Sequence, residues 1–207
     1  MHYDILDSFR RDLLPAFGAF KGEFYLAGGT ALALQLGHRD SFDFDFFKKE
    51  DFDPMALWKR LEKHFVPHSL QMIQNERNTL SVIIGEKVKL SFFSYDYPMI
   101  EPLLPEPYLN MAGMLDIGCM KLSAIIARAT LKDYVDLYYI LHNITLPSLL
   151  EKTALKFSHL DQNLVLKSLL YFEDVVEDPV IFKKDRDISW PAIQDFLKKE
   201  VGKIYRL

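Results

Sequence analysis

Only one cysteine, Cys119, occurs in the 207 residues, so no intrachain disulfide can form and no C-x-x-C pair exists to hold zinc or exchange thiols. Cys119 reads as a small buried residue. Long apolar runs are also missing, because polar or charged residues break every one before the roughly 18 residues that a membrane span requires. No sign of charge dominates. The formal net charge is −4, with 12 basic and 16 acidic residues in 1–110 and 13 of each in 111–207. Neither half is therefore a basic nucleic-acid module, and any RNA partner must meet a local patch. The opening MHYDILDSFRRDLL carries charges where a signal peptide needs an apolar stretch. The expectation is a soluble protein of a reducing cytoplasm with no membrane association. Repeats, low-complexity tracts and H-E-x-x-H are absent as well.

What is present suffices for one sizeable core, since 49% of the residues are hydrophobic and 26% charged. Ile5, Leu6, Phe9, Leu13, Leu14 and Phe17 recur at helical spacing over 3–19. Phe24 to Ala27 is a short apolar run stopped by Gly28-Gly29, and Ala31 to Leu36 then reads as helix ended by Gly37. Phe42, Phe44 and Phe46 alternate with Asp43 and Asp45, which predicts a strand with aromatics on one face and carboxylates on the other. Asp53-Pro54 opens a helix to about Phe65, with Met55, Trp58, Leu61 and Phe65 as its apolar face. LQMIQ, TLSVIIG and KVKLSFF then read as strands, with Gly85-Glu86 as a hairpin turn. Four prolines make 98–108 an irregular connector. A division follows into an α/β core over 1–108 and a helical domain over 109–207 packed against it. Helices are predicted near 116–127, 131–142, 147–156, 162–172 and 191–205, the last entered through Ser189 and Pro191.

Three features carry chemistry. A glycine pair between a strand and a helix N-terminus leaves backbone N–H groups open to phosphate, so Gly28-Gly29-Thr30 is a candidate phosphate turn; a tight strand-to-helix turn without ligand is the plainer alternative. Asp43 and Asp45, two apart on a strand, project from one face and can share a hard cation, or line a solvated edge. Lys121, Arg128, Lys132 and Asp136 fall within a sector of about 80° if one helix runs unbroken at about 100° per residue. Such a stripe can neutralise phosphates, with Asp133 and Asp136 orienting the cations; a solvated face with local ion pairs is the alternative. Tyr134, Tyr138 and Tyr139 read as core aromatics. The acidic stretch Glu173-Asp174 to Glu177-Asp178 can draw a cationic acceptor or simply close a helix.

The run GGTALALQLGHRDSFDFDFF resembles nucleotidyltransferase toxins of the AbiEii/AbiGii type, distant relatives of the polymerase-beta-like nucleotidyltransferase superfamily. KLSAIIARATLKDYVDLYYIL at 121–141 resembles the same family's helical Lys…Arg…Lys-Asp…Asp-Leu-Tyr motif, and KVKLSFFSYDYP at 87–98 its strand and proline-bearing exit. The resemblance spans most of 24–141. It implies an α+β fold, a nucleotidyltransferase-like mixed sheet with flanking helices followed by a helical C-terminal half. It further implies nucleotide transfer from an NTP to an acceptor hydroxyl, with Mg²⁺ (or Mn²⁺) on Asp43 and Asp45. Asp43, Asp45, Lys121 and Asp133 would be the catalytic set. Gly28, Gly29, Thr30, Arg39, Ser41, Arg128 and Lys132 would bind the nucleotide, Arg39 and Ser41 matching the family's Arg and Ser. For some members the acceptor is RNA, such as tRNA, and a cognate antitoxin encoded nearby is the implied partner. His38 is a capping or packing residue. A third carboxylate common in the superfamily is replaced by Ser91, with Asp96 as a substitute and Lys89 as a cation two residues earlier on the same strand face. That replacement leaves open a catalytically impaired nucleotide- or RNA-binding regulator, and a small-molecule acceptor such as an antibiotic is the other alternative.

Overall fold

The computed structural model describes residues 1–205; the last two residues of the expected helical half lie outside that range. After a 3-10 turn at Tyr3–Ile5 come α1 (Ser8–Phe17), β1 (Tyr25–Ala27), α2 (Gly28–Leu36), β2 (Phe44–Lys48) and α3 (Pro54–His64). Strands β3 (Leu70–Glu76), β4 (Thr79–Ile84), β5 (Val88–Ser94), β6 (Leu104–Pro105) and β7 (Asn110–Met111) follow. Helices α4 (Met114–Ala127), α5 (Leu131–Leu141), α6 (Leu146–Lys156), α7 (Gln162–Ser168) and α8 (Trp190–Ile204) complete the chain, giving the α+β class expected from the sequence. No described helix is long and apolar enough to cross a membrane.

One mixed sheet runs β3-β4-β5-β2-β1-β7-β6. Strand β1 is antiparallel to β2, with Ala27 beside Asp45, and β2 is parallel to β5, with Asp45 beside Ser91. The end of β1 and the starts of β2 and β5 therefore meet at one end of the sheet, where α2 begins. Phe17, Phe44, Phe46 and Phe92 pack beneath this point, Phe17 to Phe44 at 5.0 Å and Phe46 to Phe92 at 5.1 Å between ring centroids. Each buried Phe contributes about 1.5–3 kcal/mol, and a one-residue slip of β2 would exchange these rings for Asp45. The aromatic core thus fixes which way the carboxylate points.

Several expectations are corrected. Strand β2 begins at Phe44, and Phe42 is 41% exposed rather than aligned with Phe44 and Phe46. Side chains claim the backbone there: Arg10 Nε donates to Phe42 O at 2.9 Å, and Thr30 Oγ1 donates to Asp43 O. In α3 the Asp53 cap, accepting from Met55 N at 2.8 Å, sets a phase that buries Leu57 and Leu61 and leaves Met55 exposed. The sheet continues past residue 108, because β7 pairs with β1, and one hydrophobic cluster runs through sheet and helices alike. Asp96 does not approach Asp43; it pairs with Lys49 at 3.9 Å, beyond the opposite end of β2.

The helices expected near 116–127 and 131–142 form as separate elements, so the sector drawn for one unbroken helix through 121–136 does not apply. Arg128 is extended at φ −158° and ψ 107°, ending α4, and α5 starts at Leu131. The break is held by a strap: Val176 N donates to Ala129 O at 2.9 Å, and Leu131 N donates to Val176 O at 3.0 Å. Lys121 now lies on α4 and Asp133 and Asp136 on α5, so these residues meet across two packed helices rather than along one.

Candidate active site

The glycine pair is explained by what lies against it. Gly28 has φ +69°, a left-handed conformation that L side chains rarely adopt, and a Cβ there would come within 3.1 Å of Asp45 Oδ2. At Gly29 a Cβ would stand 2.4 Å from Arg39 Nη2. The sequence suggests glycine for ligand approach; in the fold, Gly29 first makes room for a guanidinium. No side chain caps the N-terminus of α2, so its opening N–H groups lack a side-chain acceptor.

Asp45 rises from β2 and Asp43 from the segment before it, Asp43 exposed and Asp45 half-buried. Burial pushes the Asp45 carboxyl above the ordinary value and Asp43 adds to the rise, while Lys89 and Lys121 pull the other way. Thr30 Oγ1, 2.7 Å from Ser41 Oγ, ties the 41–43 segment to α2. Ser91, opposite Asp45, is buried; its Oγ lies near enough to Asp45 to help lower that carboxyl but makes no hydrogen bond of full geometry. Among the described residues no cluster of three or more His, Cys, Asp and Glu residues is placed to hold a metal, so the acidic donor set is a pair.

Beneath the pair lies a buried charge network. Arg39 forks Asp136, Nε to Oδ1 at 2.7 Å and Nη2 to Oδ2 at 2.8 Å. Lys121 Nζ lies 2.7 Å from both Asp133 Oδ1 and Asp136 Oδ2. Burial alone would raise the Asp136 carboxyl, but Arg39 and Lys121 hold it well below the usual carboxylate range. Burial likewise opposes charge on Lys121, yet Asp136 and Asp133 raise it above its ordinary value. His38 Nε2 is 2.8 Å from Asp136 Oδ1, and the ring packs on Tyr139 at 4.9 Å. Burial depresses the His38 value more than Asp136 lifts it, so the ring stays neutral and Nε2–H donates to Asp136. His38 belongs to the floor of the site, a role its sequence context does not disclose.

A cleft of about 250 Å³ gathers Gly29, Thr30, Arg39, Ser41, Asp43, Asp45, Lys121, Arg128, Lys132 and Asp133. Of the catalytic and nucleotide-binding residues implied by the resemblance, all but Gly28 are on its wall. Phe42, Lys89, Thr130 and Asp178 also line it. Asp178 stands 3.9 Å from Lys132, brought in by the strap at Val176. Alternation along KVKLSFF identifies the strand face of Lys89, and Asp178 belongs to the acidic stretch noted in the sequence, whose place at this cleft the sequence does not disclose; Thr130 carries no sequence signal. A larger cleft of about 480 Å³ around Tyr138, His142 and Arg186 lacks both the glycine turn and the Asp43–Asp45 pair, so the smaller cleft is the candidate.

The family model described as nucleotidyl transferase AbiEii toxin, type IV TA system, matches residues 12–201. An uncharacterised protein of Aquifex aeolicus (strain VF5), aq_aa25, is 35% identical over 187 residues, the match covering 86% of each chain. MenT4, the nucleotidyltransferase toxin Rv2826c from Mycobacterium tuberculosis H37Rv, shares the fold at TM-score 0.62 and 15% identity, over 96% of this chain and 82% of its own. JHP933 from Helicobacter pylori does so at TM-score 0.52 and 15% identity, over 100% of this chain and 97% of its own. With a family match across nearly the whole chain and this site at its centre, the protein belongs to the AbiEii family of nucleotidyltransferase toxins.

Proposed function

We propose that the cleft transfers a nucleotide from an NTP to a hydroxyl of an RNA acceptor such as tRNA, in the cytoplasm, as the toxin of a pair whose antitoxin is encoded nearby. The observation that carries this reading is the convergence of two carboxylates, an uncapped helix N-terminus and several cations on one small cleft. The donor set fits a divalent metal. Asp43 and Asp45 offer hard oxygen ligands, and the upward push on Asp45, from burial first and Asp43 second, is one that a bound cation would offset. Mg²⁺, or Mn²⁺ in its stead, supplies charge neutralisation at the phosphate oxygens.

The chain's own groups do the rest. The opening N–H groups of α2 cradle phosphate oxygens at the dipole-positive helix end. Thr30 and Ser41 hold the 41–43 segment so that Asp43 and Asp45 keep their spacing. Lys121, kept protonated by Asp133 and Asp136, places a fixed positive charge at the cleft floor, and Arg128 and Lys132 stand at the rim. The acceptor oxygen forms a bond to the α-phosphorus, the bond from that phosphorus to the bridging oxygen breaks, pyrophosphate leaves, and the hydroxyl proton passes to solvent.

The second reading is a catalytically impaired nucleotide- or RNA-binding regulator, and a serine rather than a carboxylate at Ser91, opposite Asp45, favours it. Purified protein with each labelled NTP, Mg²⁺ and total RNA separates the two. Label entering an RNA band in wild type but not in Asp45→Asn supports transfer; tight nucleotide binding with no label in any RNA or small-molecule acceptor supports the regulator.

A further inference from the structure

The cations of the cleft fall into two classes. Arg39 and Lys121 are engaged by Asp133 and Asp136, and Lys132 leans toward Asp178. Lys89 and Arg128 have no ion-pair partner among the described residues, although both line the cleft. Lys89 is placed by the sheet. Strand β5 sets Leu90 beside Phe44, where its pairing with β2 begins, and Ser91 beside Asp45, so Lys89 stands one residue before the paired stretch, on the cleft wall with Asp43 and Asp45. Its side chain is exposed, on the strand face that carries Ser91.

An unpaired ammonium beside two carboxylates is a charge awaiting an anionic ligand, for a lysine with only structural duty would sit against one carboxylate within ion-pair distance. Ser91 adds to the argument. It is 1% exposed, its Oγ makes no hydrogen bond of full geometry, and no carboxylate stands on this stretch of β5 to complete a second metal site. We propose that Lys89 is a phosphate-binding residue of this chain, contacting the triphosphate directly and providing the positive charge that a second cation would otherwise bring. The inference rests on the nucleotidyl-transfer reading and deepens it. A strongly hydrated point charge on a flexible stem suits phosphate oxygens whose positions change during transfer. It also assigns Ser91 a reason: a carboxylate at that position would pair with Lys89 and withdraw it from the ligand.

The test uses inorganic tripolyphosphate, which has the phosphate chain without a base, titrated into the full protein in EDTA so that no metal contributes. Wild type should bind it. Lys89→Ala should weaken binding roughly ten- to hundredfold, the loss expected for one charge-assisted hydrogen bond, with an unchanged melting temperature because Lys89 is exposed. Lys89→Arg should retain most of the affinity, and Ser91→Asp should weaken it by pairing with Lys89. Wild-type affinity in Lys89→Ala, or undiminished affinity in Ser91→Asp, overturns the assignment while leaving nucleotidyl transfer intact. Failure of wild type to bind tripolyphosphate in EDTA, while an NTP with Mg²⁺ still binds, overturns the assignment alone; failure to bind either overturns both.

Discussion

Gly29→Ala isolates the reason for the glycine pair. The added Cβ would lie 2.4 Å from Arg39 Nη2, where ordinary van der Waals contact begins at 3.4 Å, so the guanidinium must retreat by about 1 Å. Arg39 cannot swing aside freely, because Nε and Nη2 are both bonded to the buried Asp136 and Nη1 donates to Asp40 O at 2.9 Å. Gly29 itself lies outside the left-handed region, so the backbone accepts alanine and the penalty is the clash alone. Overpacking costs about 1–3 kcal/mol, and a weakened charged hydrogen bond adds to it, giving about 2–4 kcal/mol in all. Against a typical total of about 5–15 kcal/mol, that is a large fraction. Urea unfolding followed by tryptophan fluorescence should show a midpoint lowered by roughly 1–2 M, given a slope of about 2 kcal/mol per molar. In an Arg39→Ala background, where Asp136 keeps Lys121 and His38, the same glycine change should cost little, a coupling above about 1 kcal/mol. If Gly29→Ala unfolds at the wild-type midpoint and loses only nucleotide affinity, Gly29 serves phosphate approach and the packing account is wrong.

Further outcomes follow from the same network. His38 is buried with its folded value depressed below the ordinary 6.5, so the unfolded chain binds the extra proton first, and stability should fall as pH drops below about 6.5. A His38→Gln variant should show a flatter stability profile between pH 7 and 5; an identical slope would contradict a neutral His38. The depressed Asp136 carboxyl contributes stability above the unfolded carboxylate value and loses it only as pH falls through its own lower value. Asp136→Asn should therefore be less stable at pH 7, by about 3–5 kcal/mol as for a broken buried pair, with the deficit shrinking in strong acid. Arg128→Ala should lower transfer without moving the melting temperature, since Arg128 is exposed and unpaired among the described residues, whereas Lys121→Ala should lower both. Equal stability of the two variants would refute the division between ligand-facing and paired cations.

Local pattern carries the first half of the molecule well. Strand alternation in SFDFDFF and glycines at a strand end are short-range signals, and they lead to Asp43, Asp45 and the α2 turn. Pattern fails where distant backbone intervenes. Helical spacing separates 116–127 from 131–142, but ARATLKD has no glycine or proline to show what holds the break at Arg128, which is made by hydrogen bonds to Val176, 48 positions away. Phe42 fits the alternation but is removed from the sheet by Arg10 and Thr30. The pairing of Lys121 with Asp133 and Asp136 was legible as proximity of charge, yet its geometry belongs to the packing of α4 on α5. The His38–Asp136 bond, spanning 98 positions, has no local signature at all.

The anomalous signal of Mn²⁺ in crystals grown with a non-hydrolysable NTP analogue would locate metal and triphosphate together. A peak between Asp43 and Asp45, lost in Asp45→Asn, is expected, with the triphosphate leading from it across the start of α2. A metal and nucleotide bound elsewhere, or a triphosphate seated without engaging either carboxylate, would contradict the assignment of the cleft.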